Sequence, residues 1–120
     1  MQRIVLRAKL HRATITQADL SYEGSLTIDE QLMKAAGIIP FEQVKVYNIS
    51  NGERFDTYAI AGEAGSGVIG LNGAAARRGH VGDLIIIACY CFMEESELVD
   101  YHPEILLLDH KNKIKKELAL

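Results

Sequence analysis

The sequence is poorest in the features that would send it to a membrane, to nucleic acid or to a metal. No apolar run approaches the ~20 residues needed to cross a bilayer, and charges in the opening MQRIVLRAKLHR interrupt any signal-like hydrophobic stretch. A cytoplasmic protein is expected. The net charge is -3, and basic residues are dispersed except at Lys111 to Lys116, so the chain has no electrostatic footprint for nucleic acid. Cysteine is scarce. Cys89 and Cys91 would share one face of a strand, but no His or Cys follows at ligand spacing. Buried thiols are therefore expected, and no metal site. His80, His102 and His110 are scattered and expected at the surface or in loops. No internal repeat, low-complexity tract or linker divides the chain, and Gly65-Ser66-Gly67 is a turn signal rather than a phosphate cradle.

With 120 residues, 48% of them hydrophobic, the chain has the length of one domain, 1–120, and enough apolar side chains to bury a core. Strand signals dominate. Arg3 to Leu10 alternates in places, Val44 to Ile49 and Phe55 to Ala61 flank the hairpin signal Asn51-Gly52, and Leu84 to Phe92 reads as a buried strand. One short helix is well marked: Asp29 as cap, Glu30 to Ala36 as helix formers, Gly37 as terminator. A second helical turn follows Asn72. The fold class is mainly β with short helices, and many short strands in so small a chain favour a closed barrel, which removes exposed edges. Periodicity alone does not fix the topology.

The chemistry concentrates in three segments: Tyr22-Glu23-Gly24-Ser25, Asn51-Gly52-Glu53-Arg54-Phe55-Asp56-Thr57-Tyr58, and Leu71-Asn72-Gly73-Ala74-Ala75-Ala76. A Gly-Ser bond can rearrange, because glycine tolerates a strained geometry and leaves its carbonyl open to the next hydroxyl. Taken alone it is a common turn dipeptide. Thr57 and Tyr58 are neighbours on a predicted strand, so their side chains should diverge; by themselves they would be ordinary strand packing. Arg54 offers a planar fork suited to a carboxylate. Small residues at Gly73, Ala74 and Ala75 allow backbone amides close to a ligand, and the Asn72 amide can orient an oxygen. Lys9 and His11 would each alone be solvated strand residues.

Together with Lys9-Leu10-His11-Arg12, Ala18-Asp19-Leu20, Ala35-Ala36-Gly37-Ile38 and Val81-Gly82-Asp83-Leu84-Ile85-Ile86-Ile87-Ala88, these segments resemble the pyruvoyl-dependent aspartate 1-decarboxylases over roughly the first three quarters of the chain. The tail after Phe92 adds nothing to the resemblance. The resemblance implies a six-stranded double-psi β-barrel, assembled as a homotetramer with active sites at subunit interfaces. It also implies self-cleavage at Gly24-Ser25 into a β chain, 1–24, and an α chain, 25–120, through an acyl shift and β-elimination that turn Ser25 into a covalently bound pyruvoyl group. The pyruvoyl carbonyl would form a Schiff base with L-aspartate and accept electrons as carbon dioxide leaves, without pyridoxal phosphate. β-Alanine for pantothenate synthesis is the implied product. By the same resemblance Thr57 serves processing and substrate binding, Tyr58 returns the proton, Arg54 holds the retained carboxylate, and Asn72, Gly73, Ala74 and Ala75 contact substrate. Lys9 is a candidate second cation and His11 a supporting residue.

Two rivals differ in class. One is a pyruvoyl-dependent decarboxylase of another acidic amino acid such as glutamate, which a single Arg54 anchor does not exclude. The other is a non-enzymatic double-psi barrel binding module, since fold alone does not give function; it would have no reason to bring Gly24-Ser25, Thr57 and Tyr58 together. The need for a maturation factor is not legible in the sequence.

Overall fold

The structure is a computed structural model that describes residues 1–118. Strand β1, Gln2–Thr14, is followed by β2, Gln17–Asp19, and β3, Ser25–Asp29; helix α1, Glu30–Ala36, then leads to β4, Gln43–Asn48, and β5, Arg54–Gly62. Next come β6, Ile69–Asn72, a 3-10 turn at Gly73–Arg77, and β7, Leu84–Glu94. A second 3-10 turn, Glu95–Leu98, precedes β8, Glu104–Leu108, and β9, Ile114–Leu118. The chain is mainly β, as expected. Among the described residues there are nine strands, and hydrogen-bonded neighbours run β2-β6-β3-β5-β4-β7-β1-β8-β9. Three neighbours are parallel, β1 with β8, β2 with β6 and β3 with β5; the others are antiparallel.

The core follows from cross-strand registry. Leu106, Leu10, Ile87, Val46 and Phe55 sit opposite one another in turn across β8, β1, β7, β4 and β5. The first four are fully buried, and burying each such side chain is worth about 1.5–3 kcal/mol. β1 is longer than its sequence pattern indicated. Its pairing with β7 slips between Leu6 and Ala8 and again between His11 and Ala13, so Arg7 and Arg12 are bulge residues that break the period-two signal. Arg12 takes a φ of 66°. Arg7 reaches α1 instead, donating to the Ala36 carbonyl at 3.1 Å and pairing with Glu42.

Helix α1 has the predicted ends. Asp29 Oδ1 accepts the Gln31 amide at 2.8 Å, and Gly37 closes the helix in the left-handed region with φ 69°. The Gly65 and Gly67 amides also bond the Asp29 carboxylate, at 3.0 and 2.8 Å, so the glycine loop cradles a side chain of its own protein. Cys89 is buried and Cys91 only partly so, and both are free, which corrects the expectation of two buried thiols. Burial pushes the Cys89 thiol up to about 11. His80, His102 and His110 are exposed, as expected. No helix among the described residues is long and apolar enough to cross a membrane.

Candidate active site

Ser25 opens β3 directly opposite Asn72 at the end of β6. Both are buried, with 1% and 5% exposure, so their polar atoms must satisfy one another. Asn72 Nδ2 donates to Ser25 Oγ at 3.0 Å and to Thr27 Oγ1 at 2.8 Å. The Ser25 hydroxyl in turn donates to the Glu23 carbonyl at 3.4 Å. Donor on one side and acceptor on the other fix the hydroxyl against the Gly24-Ser25 bond. Thr27 was not singled out from sequence; its signal was its spacing, two residues beyond Ser25 on one strand face.

Left-handed backbone at the site belongs to Gly73, φ 62°, and not to Gly24. A Cβ on Gly73 would lie 2.6 Å from Gly24 N, 2.7 Å from Tyr22 O and 2.8 Å from Gly24 Cα. All three are backbone atoms that no rotamer change can move. Gly73 is therefore the residue that lets the 3-10 turn press against the Tyr22–Gly24 segment. The turn then presents Ala74 and Ala75 to a cavity of about 250 Å³ that Gly24 and Thr57 also line, with Phe55, Asp56 and Arg78 completing the wall.

Thr57 and Tyr58 diverge as their strand positions require. Thr57 faces this cavity, whereas Tyr58 packs against Phe41 with ring centres 6.2 Å apart. Arg54 lies elsewhere. Its guanidinium stacks 3.9 Å from the centre of the Tyr47 ring, inside a larger cavity of about 580 Å³ that includes Ile4, Lys45 and Tyr90 and shares only Phe55 and Asp56 with the first. There the Tyr47 and Tyr90 hydroxyls meet at 3.0 Å, and that hydrogen bond, with burial, raises the Tyr90 pKa. Lys9 and His11, on β1, line neither cavity. His11 Nδ1 is buried without a hydrogen bond, and burial with the nearby Lys9 and Arg12 charges lowers its pKa.

Gly24, Ser25, Thr57, Asn72, Gly73, Ala74 and Ala75 are thus gathered around one peptide bond, while Arg54, Tyr58 and Lys9 do not line the Gly24 cavity. Arg78, missed in the sequence, is the one basic residue among those lining the Gly24 cavity. Among the described residues no group of three or more His, Cys, Asp or Glu side chains is placed to hold a metal ion.

Comparison with known proteins matches residues 1–115 to the family model described as aspartate decarboxylase. The match runs beyond the three quarters that the motifs cover, into β8 and β9. The chain is 64% identical over 113 residues to the aspartate 1-decarboxylase of Syntrophobacter fumaroxidans, spanning 94% of this chain and 91% of that one. It is 60% identical over 120 residues to the protein of the same name from Ralstonia nicotianae, spanning 100% of both. With that of Desulfotalea psychrophila it shares 58% over 112 residues, 93% of this chain and 94% of the relative. On this coverage and identity, the chain belongs to the aspartate decarboxylase family.

Proposed function

We propose that the chain is a self-processing aspartate 1-decarboxylase, converting L-aspartate to β-alanine and carbon dioxide and so supplying pantothenate and coenzyme A synthesis. The observation that carries the reading is the buried Ser25 hydroxyl, fixed by Asn72 beside a Gly24 backbone that Gly73 packs against without room for a side chain. In processing, Ser25 Oγ bonds to the Gly24 carbonyl carbon as the Gly24-Ser25 C–N bond breaks. β-Elimination then releases the Gly24 carboxylate, and water replaces the nitrogen at position 25, releasing ammonia. The products are chains 1–24 and 25–120. Thr57, in the same cavity as Gly24, is assigned the Gly24 carbonyl during the shift.

The site fits a pyruvoyl group made from Ser25: a buried amide donor already faces that position, and Gly73, Ala74 and Ala75 keep space beside it. When present, this group supplies the electron-accepting carbonyl for the substrate amine, the task of pyridoxal phosphate in other enzymes. Asn72 orients an oxygen at position 25. Arg54 holds the retained carboxylate, since gripping the departing one would stabilise the ground state instead of the transition state. Tyr58 returns a proton to carbon after carbon dioxide leaves, and Lys9 adds a second cation. Because Arg54, Tyr58 and Lys9 lie outside the Gly24 cavity of their own chain, we assign them to the cavity of an adjoining copy in a cytoplasmic homotetramer with sites between subunits. A six-stranded double-psi barrel is the proposed fold at the centre of the nine strands, a reading supported by the parallel pairing of β3 with β5 within a mostly antiparallel sheet.

The test is intact mass and product analysis of purified protein with no pyridoxal phosphate added. Wild type should yield two chains, the larger blocked at its amino end, and should make β-alanine from aspartate in preference to any product from glutamate. Ser25→Ala should stay at full length and inactive. A full-length wild type that is fully active would reject the reading, and cleavage only after addition of a cell extract would identify a maturation factor as a partner.

A further inference from the structure

We propose that Arg78 is a recognition residue for the anionic substrate at the Gly24 cavity, and that Glu53 holds it in reserve; the inference rests on the decarboxylase reading. Arg78 is the cation on a wall otherwise built from small, apolar or neutral groups and Asp56. Asp56 is already matched by Lys45, 3.1 Å away. The Arg78 backbone is fixed on three sides: its amide donates to the Ala75 carbonyl at 3.0 Å, and its carbonyl accepts from Asn48 Nδ2 at 3.1 Å and Asn51 Nδ2 at 3.0 Å. Asn48 is itself buried and bonded to Asp83 and to the Ser50 and Asn51 amides. The Asn51-Gly52 turn therefore does more than reverse the chain, because it clamps the end of the 3-10 turn that carries Arg78.

With the backbone clamped, only the side chain is free to move. Arg78 Nη1 bonds Glu53 Oε2 at 2.5 Å, with both side chains about half exposed. An ion pair in that setting is weak and exchangeable, whereas a substrate with two carboxylates offers the same fork a competing partner inside the cavity. Arg78 trades Glu53 for a substrate carboxylate on entry. Such a contact forms on binding and is unchanged by the loss of carbon dioxide, so it acts on KM and not on kcat.

The experiment measures cleavage by mass, then kcat and KM for aspartate at low and high salt, for wild type, Arg78→Gln, Arg78→Lys and Glu53→Gln. Arg78→Gln should raise KM about fivefold with kcat within about twofold, and its KM should respond less to salt than that of wild type. Arg78→Lys should recover part of the loss. Glu53→Gln, which frees Arg78, should lower KM, and it decides the matter if Arg78→Gln does not fold. An unchanged KM in Glu53→Gln, or a loss confined to kcat in folded Arg78→Gln, would overturn the proposal while leaving aspartate decarboxylation intact. A wild type that is cleaved yet does not turn over aspartate would instead reject the reading beneath it, and the assignment of Arg78 with it.

Discussion

At position 73 a single hydrogen decides whether the Gly24-Ser25 bond can be approached. Gly73→Ala combines a left-handed backbone with a Cβ that meets three backbone atoms below 3.0 Å, so the 3-10 turn must retreat from Gly24. The expected outcome is precursor that folds with reduced stability, by about 1–3 kcal/mol, and accumulates uncut; mass spectrometry and thermal melts report the two effects separately. Thr57 and Tyr58 separate on the same logic of position. Thr57→Val, in the cavity with Gly24, should slow cleavage. Tyr58→Phe, packed away from that cavity against Phe41, should cut normally yet lose β-alanine formation by roughly 100-fold. Normal turnover by cleaved Tyr58→Phe would assign the proton to water or to another residue.

At the scale of elements, α1 was legible because its signals are local: the cap and the left-handed glycine need only their own neighbours. Asp29 nevertheless does work the sequence did not disclose, gathering amides from Gln31, Gly65 and Gly67. Burial alone would raise its pKa, but the three amides outweigh burial and hold the carboxyl below its usual value. A carboxyl lowered in the folded state stabilises the fold at any pH above its unfolded pKa of about 3.9 and loses that contribution as pH falls through the lower folded value. Asp29→Asn keeps one acceptor oxygen but turns an NH2 toward the third amide, so it should lower stability by about 1–2 kcal/mol at neutral pH, and the gap from wild type should close on acidification below about pH 4; urea melts across pH measure it. Other elements were hidden for physical reasons. The bulges at Arg7 and Arg12 obscured the length of β1. β9 is an edge strand with Lys115, Lys116 and Glu117 exposed, so it carries no alternation to detect. Arg78 was invisible because its place depends on two asparagines brought up from another turn.

For the whole molecule, the separation of Arg54 from the Gly24 cavity makes a prediction about assembly. Arg54→Ala alone should lose about 2–5 kcal/mol of transition-state binding if its carboxylate contact is desolvated, with cleavage intact. Co-expressed with Ser25→Ala, it should regain a measurable share of activity, because some interfaces then join an intact Arg54 to an intact position 25. No recovery in mixed assemblies verified by mass would place Arg54 and Ser25 of one chain in one site.

The registry of β1 has a further consequence for how the mature protein is made. From Gln2 to Thr14 the strand is paired with β7 apart from the bulges at Arg7 and Arg12, Ala8 to His11 are paired with β8 as well, and Leu10 is fully buried between the two. The proposed cut after Gly24 would therefore leave the short chain gripped in place, but it would change the order of the folding reaction. Before the cut, β1 finds β7 as part of the same molecule; after it, any unfolded protein must recombine from two separate chains, at a rate set by concentration. If the chain is processed as proposed, folding has to be complete before the cut. A mature enzyme once melted in dilute solution should fail to recover, while an uncut Ser25→Ala chain treated in the same way should refold.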